Sequence, residues 1–134
     1  MNEELDVACL LSYALRMKEE GNAAFQRGQY ADAEERYNTA LEALDGAPAA
    51  ILEVRVLMLT VYANRAQLSI NQGSFEEALI RCAQALALDP YHVKALYRRG
   101  VAAAKVARCD IREDSVVRLR ALGCGPDADA LQAL

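Results

Sequence analysis

Two pairs of polar side chains in this sequence are spaced to act together on an anion. Lys18 and Asn22 stand four residues apart, as do Lys94 and Arg98, so on a helix the members of each pair share a face. Ammonium, guanidinium and amide groups on such a face suit a carboxylate, whose oxygens accept charge-assisted hydrogen bonds. From Tyr91 to Arg108 there are five Lys or Arg and no Asp or Glu, which makes that stretch a local source of positive field. Three cations brought together repel one another, a cost that is tolerable only where an anion or water lies between them.

No comparable set exists for catalysis or for a metal. There is no P-loop, no Gly-rich dinucleotide fingerprint and no Gly-x-Ser-x-Gly elbow. His92, the only histidine, has no Cys or carboxylate cluster with it and is expected to be exposed. The cysteines Cys9, Cys82, Cys109 and Cys124 contain no C-x-x-C pair, so they read as buried or incidental thiols rather than zinc ligands. No catalytic residue, metal or cofactor is expected, and the chain does not read as an enzyme.

The elements that must position these residues are helical. In 134 residues, 54% are hydrophobic and 25% charged, with three Pro, seven Gly and no Trp, a balance that argues for one folded domain and against disorder. Alanine and leucine dominate the apolar set while β-branched residues are sparse, so propensity favours helix nearly throughout. The net charge of −4 and a pI near 5.0 exclude a general nucleic-acid footprint. Residues 1–53 carry eleven acids against four bases and residues 54–134 eight against eleven, giving −7 and +3, so a local cationic surface survives in an acidic chain. No apolar run, 56–63 included, approaches the ~20 residues that span a bilayer, and no basic leader is visible. Neither nucleic acid nor membrane is an expected partner, and the cytoplasm is the expected location.

A period organises the chain. Tyr62-Ala63-Asn64-Arg65-Ala66 returns 34 residues later as Leu96-Tyr97-Arg98-Arg99-Gly100, and an upstream copy aligns Gly21, Gly28, Tyr30 and Ala33 with Ala66, Gly73, Phe75 and Ala78. Small residues at these places let two helix backbones approach, and the aromatic after each Gly fills the gap at the turn. Ser74 to Glu77 and Asp110 to Glu113 have the form of capping boxes, Asp45-Gly46-Ala47-Pro48 reads as a helix stop, and Pro90 suits the first turn of the next helix.

This pattern resembles the tetratricopeptide repeat, a 34-residue helix-turn-helix unit. The resemblance covers residues 14 to 108 and implies an all-α, right-handed superhelical solenoid: a helical N-terminal extension over 1–13, repeat 1 over 14–47, repeat 2 over 59–92, a divergent repeat 3 over 93–122 and a short cap over 123–134. The intervening 48–58 should lengthen the first helix of repeat 2 by about three turns. Repeat 3 departs from the pattern at its turn and crossing, where Ala107, Cys109 and Arg112 replace Gly, aromatic and Ala.

In this family the first helix of each repeat lines the concave face, which draws Asn64 together with the two pairs above. Lys18, Asn22, Asn64, Lys94 and Arg98 match by type the two-carboxylate clamp of co-chaperone tetratricopeptide domains. By that resemblance Lys18, Asn22, Asn64 and Lys94 would grip the terminal Asp of a Glu-Glu-Val-Asp tail of the seventy- or ninety-kilodalton heat-shock chaperones, and Arg98 a carboxylate or carbonyl further back. Taken singly, each residue reads as solvated surface or as an inter-helix polar contact; the five at matched positions read as a clamp. Two rivals remain. One is a repeat scaffold that binds another partner or itself through a different surface. The other is the binding domain of a larger enzyme such as a prolyl isomerase, any further part lying C-terminal.

Overall fold

Short connections between amphipathic helices force neighbours to pack as hairpins, and a computed structural model, which describes residues 3–134, shows a chain of such hairpins. Its helices are α1 (Glu3–Gln26), α2 (Tyr30–Asp45), α3 (Leu52–Asn71), α4 (Phe75–Leu88), α5 (Val93–Lys105), α6 (Cys109–Ala121) and α7 (Gly125–Gln132); there is no strand among the described residues. Packing runs α1 on α2, α3 on α4 and α5 on α6, with α2 on α3 and α4 on α5 joining the pairs and α7 laid over α5 and α6. Stability in such a stack is passed from neighbour to neighbour. One buried cluster holds Met17, Ala24, Ala33, Tyr37, Leu44, Val54 and Leu68, a second Ala85, Leu96, Val116, Leu119 and Leu131.

Four turns between helices are built alike. Gly28, Gly73 and Gly123 have φ of 75°, 76° and 80°, and Ala107 takes φ 57°. In each case the next residue's N–H closes back on the helix: Gln29 on the Ala24 carbonyl (2.9 Å), Ser74 on Ser69 (2.8 Å), Arg108 on Ala103 (2.8 Å) and Cys124 on Leu119 (2.9 Å). These bonds satisfy carbonyls that the helix end leaves orphaned. A Cβ at Gly28 or Gly73 would meet nothing within 4 Å, so backbone conformation rather than space selects glycine there. Ala107 adopts it at a cost of about 1 kcal/mol.

Close approach selects glycine elsewhere. A Cβ on Gly21 would lie 2.7 Å from the Tyr37 ring, and one on Gly100 would lie 2.5 Å from Leu131 Cδ1. The first contact ties α1 to its own hairpin partner, whereas the second ties α5 to the terminal helix α7.

The extension 1–13 is helical from Glu3 onward, running on into α1, and residues 1–2 lie outside the described residues. Several other local expectations are corrected. Of 48–58, only 52–58 is helical: Pro48 to Ile51 forms a turn closed by the Ile51 N–H on the Pro48 carbonyl (3.1 Å), so α3 gains seven residues, about two turns, over residue 59. Neither capping box forms. Ser74 is the N-cap of α4 but makes no side-chain cap, and Glu77 Oε1 turns to Arg81 (2.8 Å) and Arg65 (3.5 Å) rather than back to the Ser74 N–H, which is given to the Ser69 carbonyl (2.8 Å). Helix α6 starts at Cys109, one residue before Asp110, because the left-handed Ala107 sets each following helix two residues on, as the glycines do. Gly125 and Pro126 open α7, and Pro90, expected in the first turn of a helix, lies instead in the turn ahead of the α5 N-cap, His92.

Candidate functional site

The first helices of the three hairpins place their polar residues toward one cavity. Lys18 and Asn22 come from α1, Asn64 from α3, and Lys94 and Arg98 from α5; all five line a space of about 400 Å³, with Phe25, Gln26, Tyr37, Thr60 and Gln67 completing the wall. Helical geometry explains the convergence. Each pair four residues apart rises one turn on one face, and α1 and α5 each pack against α3. Phe25 is fixed by its ring contact with Tyr30, at 5.6 Å between centroids.

A hydrogen-bond chain orients the centre of the cavity. Asn22 Oδ1 accepts from the Tyr37 hydroxyl and from Asn64 Nδ2 (3.1 Å). Because both neighbours donate, the amide oxygen of Asn22 faces inward to them, and its NH2 group is the end left for a ligand. Tyr37 is buried, and burial pushes its hydroxyl up to about 12, against the opposing field of Arg98. It therefore stays a neutral donor throughout the physiological range.

Arg98 is anchored by Nη1, which donates to the Ala63 carbonyl of α3 (2.7 Å). Burial lowers its pKa, and the nearby Cys82 and Tyr37 counter that slightly. No acid pairs with Lys18, Lys94 or Arg98 among the described residues, although seven other ion-pair contacts occur there. The groove is thus a concentration of donors whose charge the fold itself leaves uncompensated, the arrangement that favours an anionic ligand.

A second recess of about 450 Å³ opens beside the first and shares Thr60, Asn64 and Lys94 with it; its far wall is Asp89, Tyr91 and His92. His92 is not exposed as its sequence context suggests. It is half-buried and caps α5, Nδ1 accepting from the Ala95 N–H (3.3 Å). That bond requires the neutral ring. Burial lowers the His92 pKa, Asp89 raises it, and Arg98 and Lys94 lower it.

Tyr37 and the Ala63 carbonyl are parts of the site that the sequence did not single out, and His92, set aside there as exposed, lines the adjoining recess. Tyr37 falls at a repeat position that marks core, and its hydroxyl role depends on Asn22 lying across the hairpin. A backbone carbonyl carries no side-chain signal at all. Among the described residues no cluster of His, Cys, Asp or Glu could hold a metal, and no helix is long and apolar enough to cross a membrane.

No family model matches the chain. Among curated proteins it is similar to sperm-associated antigen 1A of Danio rerio, 34% identical over 87 residues, which are 65% of this chain and 20% of that protein. It is also similar to the Hsp70/Hsp90 co-chaperone cns1 of Schizosaccharomyces pombe, 31% identical over 122 residues, 86% of this chain and 32% of that one. The chain therefore spans a fifth to a third of the length of these two relatives. Among solved structures it is similar to the second tetratricopeptide domain of Spaghetti (RPAP3) bound to the HSP90 peptide SRMEEVD, with 30% identity, a TM-score of 0.72 and coverage of 89% of this chain and 98% of that one. The fold and groove are those of a helical-repeat domain. The chain belongs to the tetratricopeptide-repeat family.

Proposed function

We propose that this chain is a co-chaperone adaptor module that binds the acidic C-terminal tail of seventy- or ninety-kilodalton heat-shock chaperones, ending Glu-Glu-Val-Asp. The observation that carries the reading is the convergence of Lys18, Asn22, Asn64, Lys94 and Arg98 on one cavity without a paired acid. A chain terminus bears a carboxylate that no internal segment has, and cations with amide donors are the groups that recognise it. Lys18, Asn22, Asn64 and Lys94 hold the carboxylates of the terminal Asp. Arg98, already fixed on the Ala63 carbonyl, offers its remaining N–H groups to the chain further back.

The relatives support this reading, since one is named a co-chaperone and one is a complex with a peptide ending in Glu-Glu-Val-Asp. A short flexible tail must be ordered on binding, so affinity is expected at about the micromolar level. The module works without catalysis, in the cytoplasm. Titrating a peptide with this ending into labelled protein tests the reading by NMR: amide and side-chain shifts should centre on α1, α3 and α5 around the five residues. Shifts confined to α2, α4 and α6 would overturn it.

A further inference from the structure

Lys94 stands where its own helix is poorly supported. It lies in the first turn of α5, which holds no acid to offset the positive end of the helix dipole, and its ammonium opposes that dipole. The N-cap bond, from the Ala95 N–H to His92 Nδ1, is long at 3.3 Å. Burial holds the region little, since Pro90, Tyr91, Val93 and Lys94 are all exposed. Asp89 closes the turn ahead of the helix, its carboxylate accepting from the Tyr91 N–H (3.1 Å) and its carbonyl from the His92 N–H (3.2 Å). A helix start of this kind opens locally unless another element holds it.

Arg118 of α6 is that hold. It lines neither the cationic cavity nor the recess beside it. Its Nη1 nevertheless donates to the Pro90 carbonyl, 28 residues back (3.1 Å), and its guanidinium lies over the Tyr91 ring, 5.9 Å from the centroid. Arg118 is itself fixed, with Nε 3.1 Å from Asp114 Oδ2. The same oxygen pairs with Arg99 of α5, whose Nε donates to the Ser115 hydroxyl (2.9 Å). One planar fork thus meets a carbonyl, an aromatic face and a carboxylate together, which a lysine ammonium does not reproduce. The other cations of the groove do not rest on this turn: Arg98 is anchored on the Ala63 carbonyl of α3, and Lys18 comes from α1. Resting on the function proposed above, we propose that Arg118 is a positioning residue for tail binding, holding the 89–92 turn and through it placing the Lys94 ammonium against the tail's carboxylate.

Two double-mutant cycles test this, read by fluorescence anisotropy with a peptide ending Glu-Glu-Val-Asp as free acid and as amide, circular dichroism verifying each fold. Arg118→Gln is combined with Lys94→Ala and, separately, with Lys18→Ala. Arg118→Gln should weaken binding of the acid about fivefold in the wild-type and Lys18→Ala backgrounds, and by less than about 1.5-fold beside Lys94→Ala. Arg118→Lys, which keeps the charge, should lose as much, and the loss should persist at about 0.5 M salt, where long-range attraction is screened. In the free protein, amide exchange at Ala95 and Leu96 should quicken in Arg118→Gln while α1 is unchanged. A loss that lysine restores or salt erases is an effect of the distant charge and overturns the role. Equal loss beside Lys94→Ala, or quickened exchange throughout the chain, overturns it as well. The amide separates the two levels: if wild type binds it as well as the acid, the clamp reading fails and this role with it, whereas acid-dependent binding that Arg118→Gln leaves intact removes only the role of Arg118.

Discussion

Arg65 and Arg98 are both arginines held between helices one repeat apart, yet their surroundings are opposite. Arg65 is 3% exposed and spends its donors on Glu34 (2.8 Å), Glu77 (3.5 Å) and the Ser69 hydroxyl (2.9 Å). Arg98 meets only neutral groups, the Ala63 carbonyl together with the nearby Tyr37 and Cys82. The difference follows a one-residue step. Asn64 and Arg98 look into the groove, while the residues after them, Arg65 and Arg99, turn to carboxylates of neighbouring helices, Arg99 pairing with Asp114. The same side chain is structural where the fold provides its acid and is free for a ligand where it does not.

That division is broken most severely at Arg65. Arg65→Ala removes the cation but leaves Glu34 and Glu77 facing the gap, and is expected to cost about 3 kcal/mol of folding stability, the low end for a buried pair since both acids are partly exposed. Urea melts check this, with tail affinity of the folded fraction unchanged. Next in size, Lys94→Ala or Arg98→Ala should each cost about 1.5 to 3 kcal/mol of peptide binding, the worth of a charged hydrogen bond. Melts should shift little. Should these groove variants lose stability instead of affinity, the distinction between the two arginine classes collapses.

His92 supplies a smaller, pH-dependent test. Its pKa is lowered in the folded chain, so below pH ~6.5 the unfolded state takes up the proton more readily and stability falls. The loss should run from the unfolded value down through the folded one, and His92→Asn, which keeps a capping acceptor, should flatten it. Thermal melts across that range read the slope. The smallest expected effect is at the exposed pair Arg120 and Asp129, 2.9 Å apart, where Arg120→Ala should change stability by less than about 0.5 kcal/mol.

The helical repeat was legible because its signals are local. Gly28 and Gly73 announce left-handed turns, Gly21 a close crossing, and the 34-residue step aligns Asn64 with Arg98. The turn at Ala107 was harder to read, since alanine carries no mark of positive φ; the neighbouring closures impose it. Ser74 and Glu77 misled because a capping box is a local preference, and Arg81 and Arg65 offered Glu77 opposite charges that only the packed structure brings near. Lys18, Asn22, Lys94 and Arg98 could be paired by spacing alone, but their common cavity required the crossing of three helices. The Tyr37 hydroxyl donor, the Ala63 carbonyl acceptor and the apolar recess lined by Leu15 and Val56 depend on contacts across the stack and had no sequence signature.

The most direct test of the central claim, that the uncompensated cations receive a chain terminus, is titration calorimetry with a peptide ending Glu-Glu-Val-Asp as the free acid and as its C-terminal amide, at low and high salt. The account predicts binding at about micromolar strength for the acid, weakened by salt as exposed charge attraction is screened, and abolished by amidation. Equal binding of acid and amide, or binding of neither, would contradict it.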